Sequence, residues 1–153
     1  YTTGNTLSLH DALPICFEVF DRAVHAANGW LHELESRMGW DDRRAAWRLL
    51  RISLHLVRDR LGADEAAQFA AQMPLLIKGA YWEGWRPSAP REPAGTAAAF
   101  LEPLAAAFDE DPGFDAEAAF REVVGVLSFH VAEGELEDVR RALPEAVKPL
   151  WEA

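Results

Sequence analysis

The second half of this chain repeats the first at an offset of 70 residues without a gap, which limits the folds open to it more than anything else. Pro74 returns as Pro144 in the junctions Gln72-Met73-Pro74 and Ala142-Leu143-Pro144. The same offset sets Leu31 over Leu101, Leu34 over Leu104, Met38 over Phe108, Leu50 over Phe120, Leu54 over Val124 and Val57 over Leu127. It continues through Leu61 and Val131, Glu65 and Glu135, Phe69 and Val139, Met73 and Leu143, and Tyr81 and Trp151. Most of these positions are apolar and therefore core candidates. Chance similarity between amphipathic helices requires neither an ungapped register nor coincident proline junctions. A unit of this size buries its own apolar face poorly, so two copies are expected to pack on each other.

Within each copy the apolar spacing is helical. Phe17, Phe20, Val24, Ala27, Leu31, Leu34 and Met38 fall three or four residues apart, as do Trp47, Leu50, Leu54, Val57 and Leu61. Ala and Leu dominate while Val and Ile are sparse, which also favours helix. Gly39-Trp40-Asp41 is expected to end the first helix and cap a second over about 42–61, stopped by Gly62. A short helix over 64–73 follows, and Pro74 suits the first position of another, where its missing N–H leaves no bond unmade. Residues 84–95 carry three prolines and two glycines and read as a connector. Beyond it, helices are expected over 97–108, from Asp115 to about 131, over 133–143, and again from Pro144. The expectation is an all-α fold: one domain, 16–153, of two tandem helical repeats. Repeat one spans 17–83 and repeat two 96–153, each with about four helices, two long and two short.

Residues 1–15 stand outside this pattern. The run Leu7-Ser8-Leu9-His10-Asp11-Ala12-Leu13-Pro14-Ile15 reads as sequencing-adapter DNA translated in frame with a gene. It is treated as a disordered, non-native leader, and His10 is set aside as a ligand.

At 153 residues the chain can bury a sizeable core, so folding needs no cofactor and none is expected. The net charge is −10. Residues 17–88 carry 10 basic and 10 acidic groups, whereas 89–153 carry 5 and 14. So acidic a second half repels phosphate backbones and argues against nucleic acid as a partner. No apolar run approaches the ~20 residues of a membrane span. The single cysteine, Cys16, rules out an internal disulfide framework and a cysteine-based zinc site, and points to the cytoplasm.

Several separated stretches carry a family resemblance. They are Trp30-Leu31-His32-Glu33-Leu34, Gly39-Trp40-Asp41-Asp42-Arg43, Gln72-Met73-Pro74, Tyr81-Trp82-Glu83-Gly84-Trp85-Arg86-Pro87, and Gly134 through Arg140 with Leu143-Pro144. Together, over about 17–152, they resemble the bacterial family called domain of unknown function 2267 (DUF2267). The resemblance implies an all-helical, duplicated domain in a bacterial protein. It brings no activity, substrate or catalytic residue.

The residues themselves offer two candidate binding surfaces and no catalytic set. Arg44, Arg48, Arg51, His55 and Arg58 recur at helical spacing and form a basic stripe, read either as an anion or partner groove or as a face paired with the acidic second half. Tyr81, Trp82, Trp85 and Arg86 form the densest aromatic cluster, read either as an interface anchor or as a plug between the repeats. His25, His32, Glu35 and His55 lack the one-turn spacing of helical metal ligands, so no metal is expected. No catalytic triad order, phosphate loop or nucleotide fingerprint is present. The functional expectation is a non-enzymatic module with a protein partner; the alternative is a small-molecule or anion binder, or an enzyme, with a pocket between the repeats.

Overall fold

The computed structural model describes residues 14–91, 93 and 95–152, with side chains from residue 17 onward. The leader reading therefore lies outside the described residues, except for its last two. Every regular element among the described residues is helical: α1 (Pro14–Met38), α2 (Arg43–Arg58), α3 (Ala63–Ala71), α4 (Leu75–Trp82), α5 (Ala97–Ala107), α6 (Ala116–His130), α7 (Glu133–Ala142) and a closing 3₁₀ turn (Lys148–Trp151).

Local chemistry sets the boundaries. Gly39, at φ 65°, takes the left-handed turn after α1, and the Trp40 N–H reaches back to the Glu35 carbonyl at 2.9 Å. The cap of α2 falls on Asp42, one residue later than expected, and its carboxylate accepts from Arg44 N at 2.9 Å and Ala45 N at 3.1 Å. Thr96 and Asp115 cap α5 and α6 in the same way. Helix α2 ends at Arg58 rather than near Leu61, because its last N–H groups fold into three-residue turns, Arg60 to Val57 and Leu61 to Arg58. The expected fourth helix of the second half shrinks to the 3₁₀ turn. Pro149 lacks the N–H that an α-helix opening at Pro144 would need there.

One buried cluster runs through both halves. Helix α1 packs on α2, α4 and α6; α2 also meets α5 and α6; α3 meets α7. Leu34, Leu49, Leu50, Ile77, Tyr81 and Leu104 have no exposed surface. Each fully buried side chain of this size contributes roughly 1.5–3 kcal/mol. The expected seam on α1 is only partly covered: Ala27, Leu31 and Leu34 are buried, whereas Phe20 and Val24 remain 64% and 49% exposed.

Candidate functional site

The basic stripe of α2 is mostly engaged within the molecule. Arg48 pairs with Glu110 at 2.5 Å and lies 4.0 Å over the Phe108 ring, so it ties α2 to the acidic second half. Arg51 pairs with Glu83 at 2.7 Å, and the exposed Glu83 carboxyl is held below its usual range by that bond. The same cause, a bond from Arg48, lowers Glu110. Arg58 is 4% exposed; its Nη1 donates to the carbonyls of Tyr81 and Glu83, and its Nε to Asp59. The His55 ring donates through Nε2 to the Ala80 carbonyl at 2.6 Å. Burial pushes its pKa down, outweighing the bond to Ala80, and Arg58 and Arg51 add to the depression. Of the stripe's arginines, Arg44 alone makes no ion pair among the described residues.

The aromatic cluster divides by burial. Tyr81 is wholly inside, edge-on to Phe69, with its hydroxyl donating to the Ala66 carbonyl at 3.1 Å. Burial raises its phenol pKa well above the usual value. Trp82 and Trp85 are half-buried with ring centroids 4.6 Å apart, and Arg86 is exposed. The first two rings thus brace α4 against the core, while Trp85 and Arg86 turn toward the connector.

A feature absent from the sequence reading lies on the other side of α4. An apolar groove of about 610 Å³ runs between α1, α2 and α4, lined by Val24, Ala27, Asn28, Leu31, Trp47, Leu75, Leu76, Gly79, Ala80 and Glu83. Leu75 and Leu76 are 60% and 43% exposed at its edge. The signal was present in the chain: Ile77 and Tyr81 already supply the core face of α4, so Leu75 and Leu76 are surplus apolar residues on the opposite face.

A second cavity, about 350 Å³, lies where the α2–α3 turn meets the connector. Arg58, Asp59, Gly62, Trp85, Arg86 and Arg91 are among its lining residues.

The histidines do not converge. His25 and His32 are exposed, Glu35 is occupied by Arg43 at 2.8 Å, and His55 is bound to Ala80. Among the described residues no group of three or more His, Cys, Asp or Glu side chains is placed to hold a metal ion. No helix among them is long and apolar enough to cross a membrane.

The fold and surface define an all-helical protein with one interlocked core, an open apolar groove and an arginine-lined cavity. The chain belongs to the family described as an uncharacterized conserved protein (DUF2267), which matches residues 27–150. A search of curated proteins finds no match.

Proposed function

We propose that this protein is a non-enzymatic interaction module whose α1–α4 groove receives an amphipathic helix from a protein partner. The observation that carries this reading is the exposure of Leu75, Leu76 and Val24 around one concave apolar surface. The shape suits a helix. Ala27, Gly79 and Ala80 keep the groove shallow-walled, and a third helix approaching to 8–10 Å would complete the packing of α1 and α4. Trp47 provides a half-buried aromatic surface for an apolar anchor.

The same reading holds the domain to be two tandem copies of one helical unit. Burial supports it: Leu31 and Leu101, Leu34 and Leu104, Leu54 and Val124, Phe69 and Val139, Ile77 and Val147, and Tyr81 and Trp151 are buried at both positions of each pair. A cytoplasmic setting accords with the one cysteine, Cys16.

The test uses immobilised full-length protein beside the variant Leu75→Glu with Leu76→Ala. A partner retained by the first and lost with the second, at equal thermal stability of the two, supports the groove. Equal retention by both overturns it. A third arm carrying Trp85→Ala separates this surface from the connector, because loss in that arm alone moves the interface to Trp85 and Arg86.

A further inference from the structure

The cavity at the connector has a charge pattern that the rest of the molecule avoids. The chain has 25 carboxylates against 15 Lys and Arg, so most arginines find an acid: Arg22, Arg37, Arg43, Arg48, Arg51, Arg58, Arg121, Arg140 and Arg141 each make an ion pair. Arg86 and Arg91 make none among the described residues, and both line this one cavity. Arg58 closes it from the protein side. Its side chain is 5% exposed, with Nε and Nη1 committed to Asp59 and to the Tyr81 and Glu83 carbonyls, which leaves Nη2 outside those bonds. Three guanidinium groups therefore line a cavity where the described lining residues offer one carboxylate, Asp59, and that one is already paired.

Gly62 forms part of the cavity wall. A Cβ on residue 62 would lie 2.6 Å from Arg91 Nη2 and would also collide with the Glu65 carboxylate. Gly62 therefore leaves room for the Glu65 carboxylate and the Arg91 guanidinium together. Even with Glu65 counted beside Asp59, the three arginines leave this end net positive in a chain of net −10. Trp85 adds a half-buried aromatic surface to the same wall.

We infer that this cavity is a binding site for a small phosphate monoester. Two guanidinium forks that make no ion pair among the described residues match the two charges and the several acceptor oxygens of a dianionic phosphate, and guanidinium binds phosphate bidentately. Trp85 supplies the surface for the organic portion of the ligand. A volume of about 350 Å³ fits the lower end of small-molecule sites, which run about 300–1,000 Å³. The site lies outside the apolar groove, so it stands whether or not a helix binds there.

The experiment is calorimetric titration of the full chain with phenyl phosphate, inorganic phosphate, benzoate and phenol as probes. Phenyl phosphate should bind at least tenfold more tightly than benzoate, and phenol should not bind. Inorganic phosphate should bind more weakly than phenyl phosphate if Trp85 contacts the organic group, and Trp85→Ala should erase that difference. Arg86→Glu with Arg91→Glu should weaken phenyl phosphate binding at least tenfold, while Arg44→Glu, on an unpaired arginine outside the cavity, should leave it unchanged. Circular dichroism and thermal melting confirm that the variants remain folded; both target side chains are exposed. Absence of phenyl phosphate binding at millimolar concentration overturns the site. So does equal weakening by Arg44→Glu, which would mark a diffuse surface charge effect, and so does benzoate binding as tightly as the phosphate, which would reassign the ligand to carboxylates.

Discussion

Leu75 and Leu76 edge an open apolar groove in the first half; 70 residues later the chain has Glu145 and Ala146, and opposite Trp47 it has Glu117. Arg58, at the connector cavity, has Ser128 as its counterpart. The groove that contains Ser128 is lined by Glu133, Glu137 and Glu152 beside Arg140. Most buried positions agree between the halves, whereas the positions around the groove and the cavity differ, apolar or basic in the first half and acidic, small or polar in the second. Core residues answer to packing, which both halves share, whereas surface residues answer to whatever each half meets. The second half also supplies acids that hold parts of the first in place, as Glu110 holds Arg48.

The largest effect should come from attacking what the halves share. Phe120 is 1% exposed, edge-on to Phe100 and near Trp151, and α6 packs on α1 and α2 of the first half. Phe120→Ala should cost about 4 kcal/mol, as large-to-small changes in a packed core do. Calorimetry should show one cooperative transition at lower temperature. Two separate transitions would mean that the halves fold independently, which would break the shared-core account.

The next effect distinguishes Tyr81 from its counterpart Trp151. The Tyr81 hydroxyl donates to the Ala66 carbonyl, whereas the Trp151 indole N–H is buried with no partner among the described residues. Tyr81→Phe should cost about 1 kcal/mol, the usual net value of one buried hydrogen bond. Denaturant melts of the single variant measure this, and an unchanged midpoint would remove the hydroxyl from the account of why α4 is held against α3.

His55 is a further point of difference, since Gly125 stands 70 residues on and the Arg37 guanidinium lies close against it. The folded state lowers the His55 pKa below its ordinary 6.5, chiefly through burial. Below that ordinary value the unfolded chain takes up a proton that the folded chain resists. The contribution of His55 is therefore complete above pH 6.5 and is lost as pH falls through 6.5 toward the depressed folded value. Thermal melts between pH 7.5 and 5.5 should show wild-type stability declining, and His55→Gln should decline less. The paired carboxylates Glu83, Glu110 and Glu137, all lowered from 4.5, act below this window, so an equal slope in both proteins would eliminate His55 as the cause.

How much of this was legible beforehand depended on the kind of signal. Helical spacing and proline or glycine punctuation located every helix to within a few residues, because period and breakers are local properties. Asp42 taking the cap from Asp41, and Pro149 cutting the last helix to a 3₁₀ turn, are one-residue matters of hydrogen-bond supply that periodicity does not weigh. The stripe from Arg44 to Arg58 was visible as a stripe. That it pairs within the molecule was one of the two readings, but which acids it meets was not legible, since Glu83 and Glu110 lie 32 and 62 residues away from Arg51 and Arg48. The groove escaped for a related reason. Leu75 and Leu76 look like core residues until Ile77 and Tyr81 are seen to occupy the core face of α4. Arg91 sat within a connector read only as a linker, and nothing local marks it as the neighbour of Gly62.

The smallest effect on stability belongs to the change that tests the comparison most directly. Leu75→Glu with Leu76→Ala writes the second half's residues onto the first half's groove. Both leucines are largely exposed, so the folded protein loses little packing and stability should stay within about 0.5 kcal/mol of wild type. Both new residues also suit a helix, and a carboxylate at the first position of α4 meets the positive end of the helix dipole, which offsets part of what packing is lost. A loss several times larger would show that the leucines hold α4 in place, making the groove a structural seam rather than a free surface. A stable variant that no longer retains a partner would leave surface chemistry as the remaining difference between the halves.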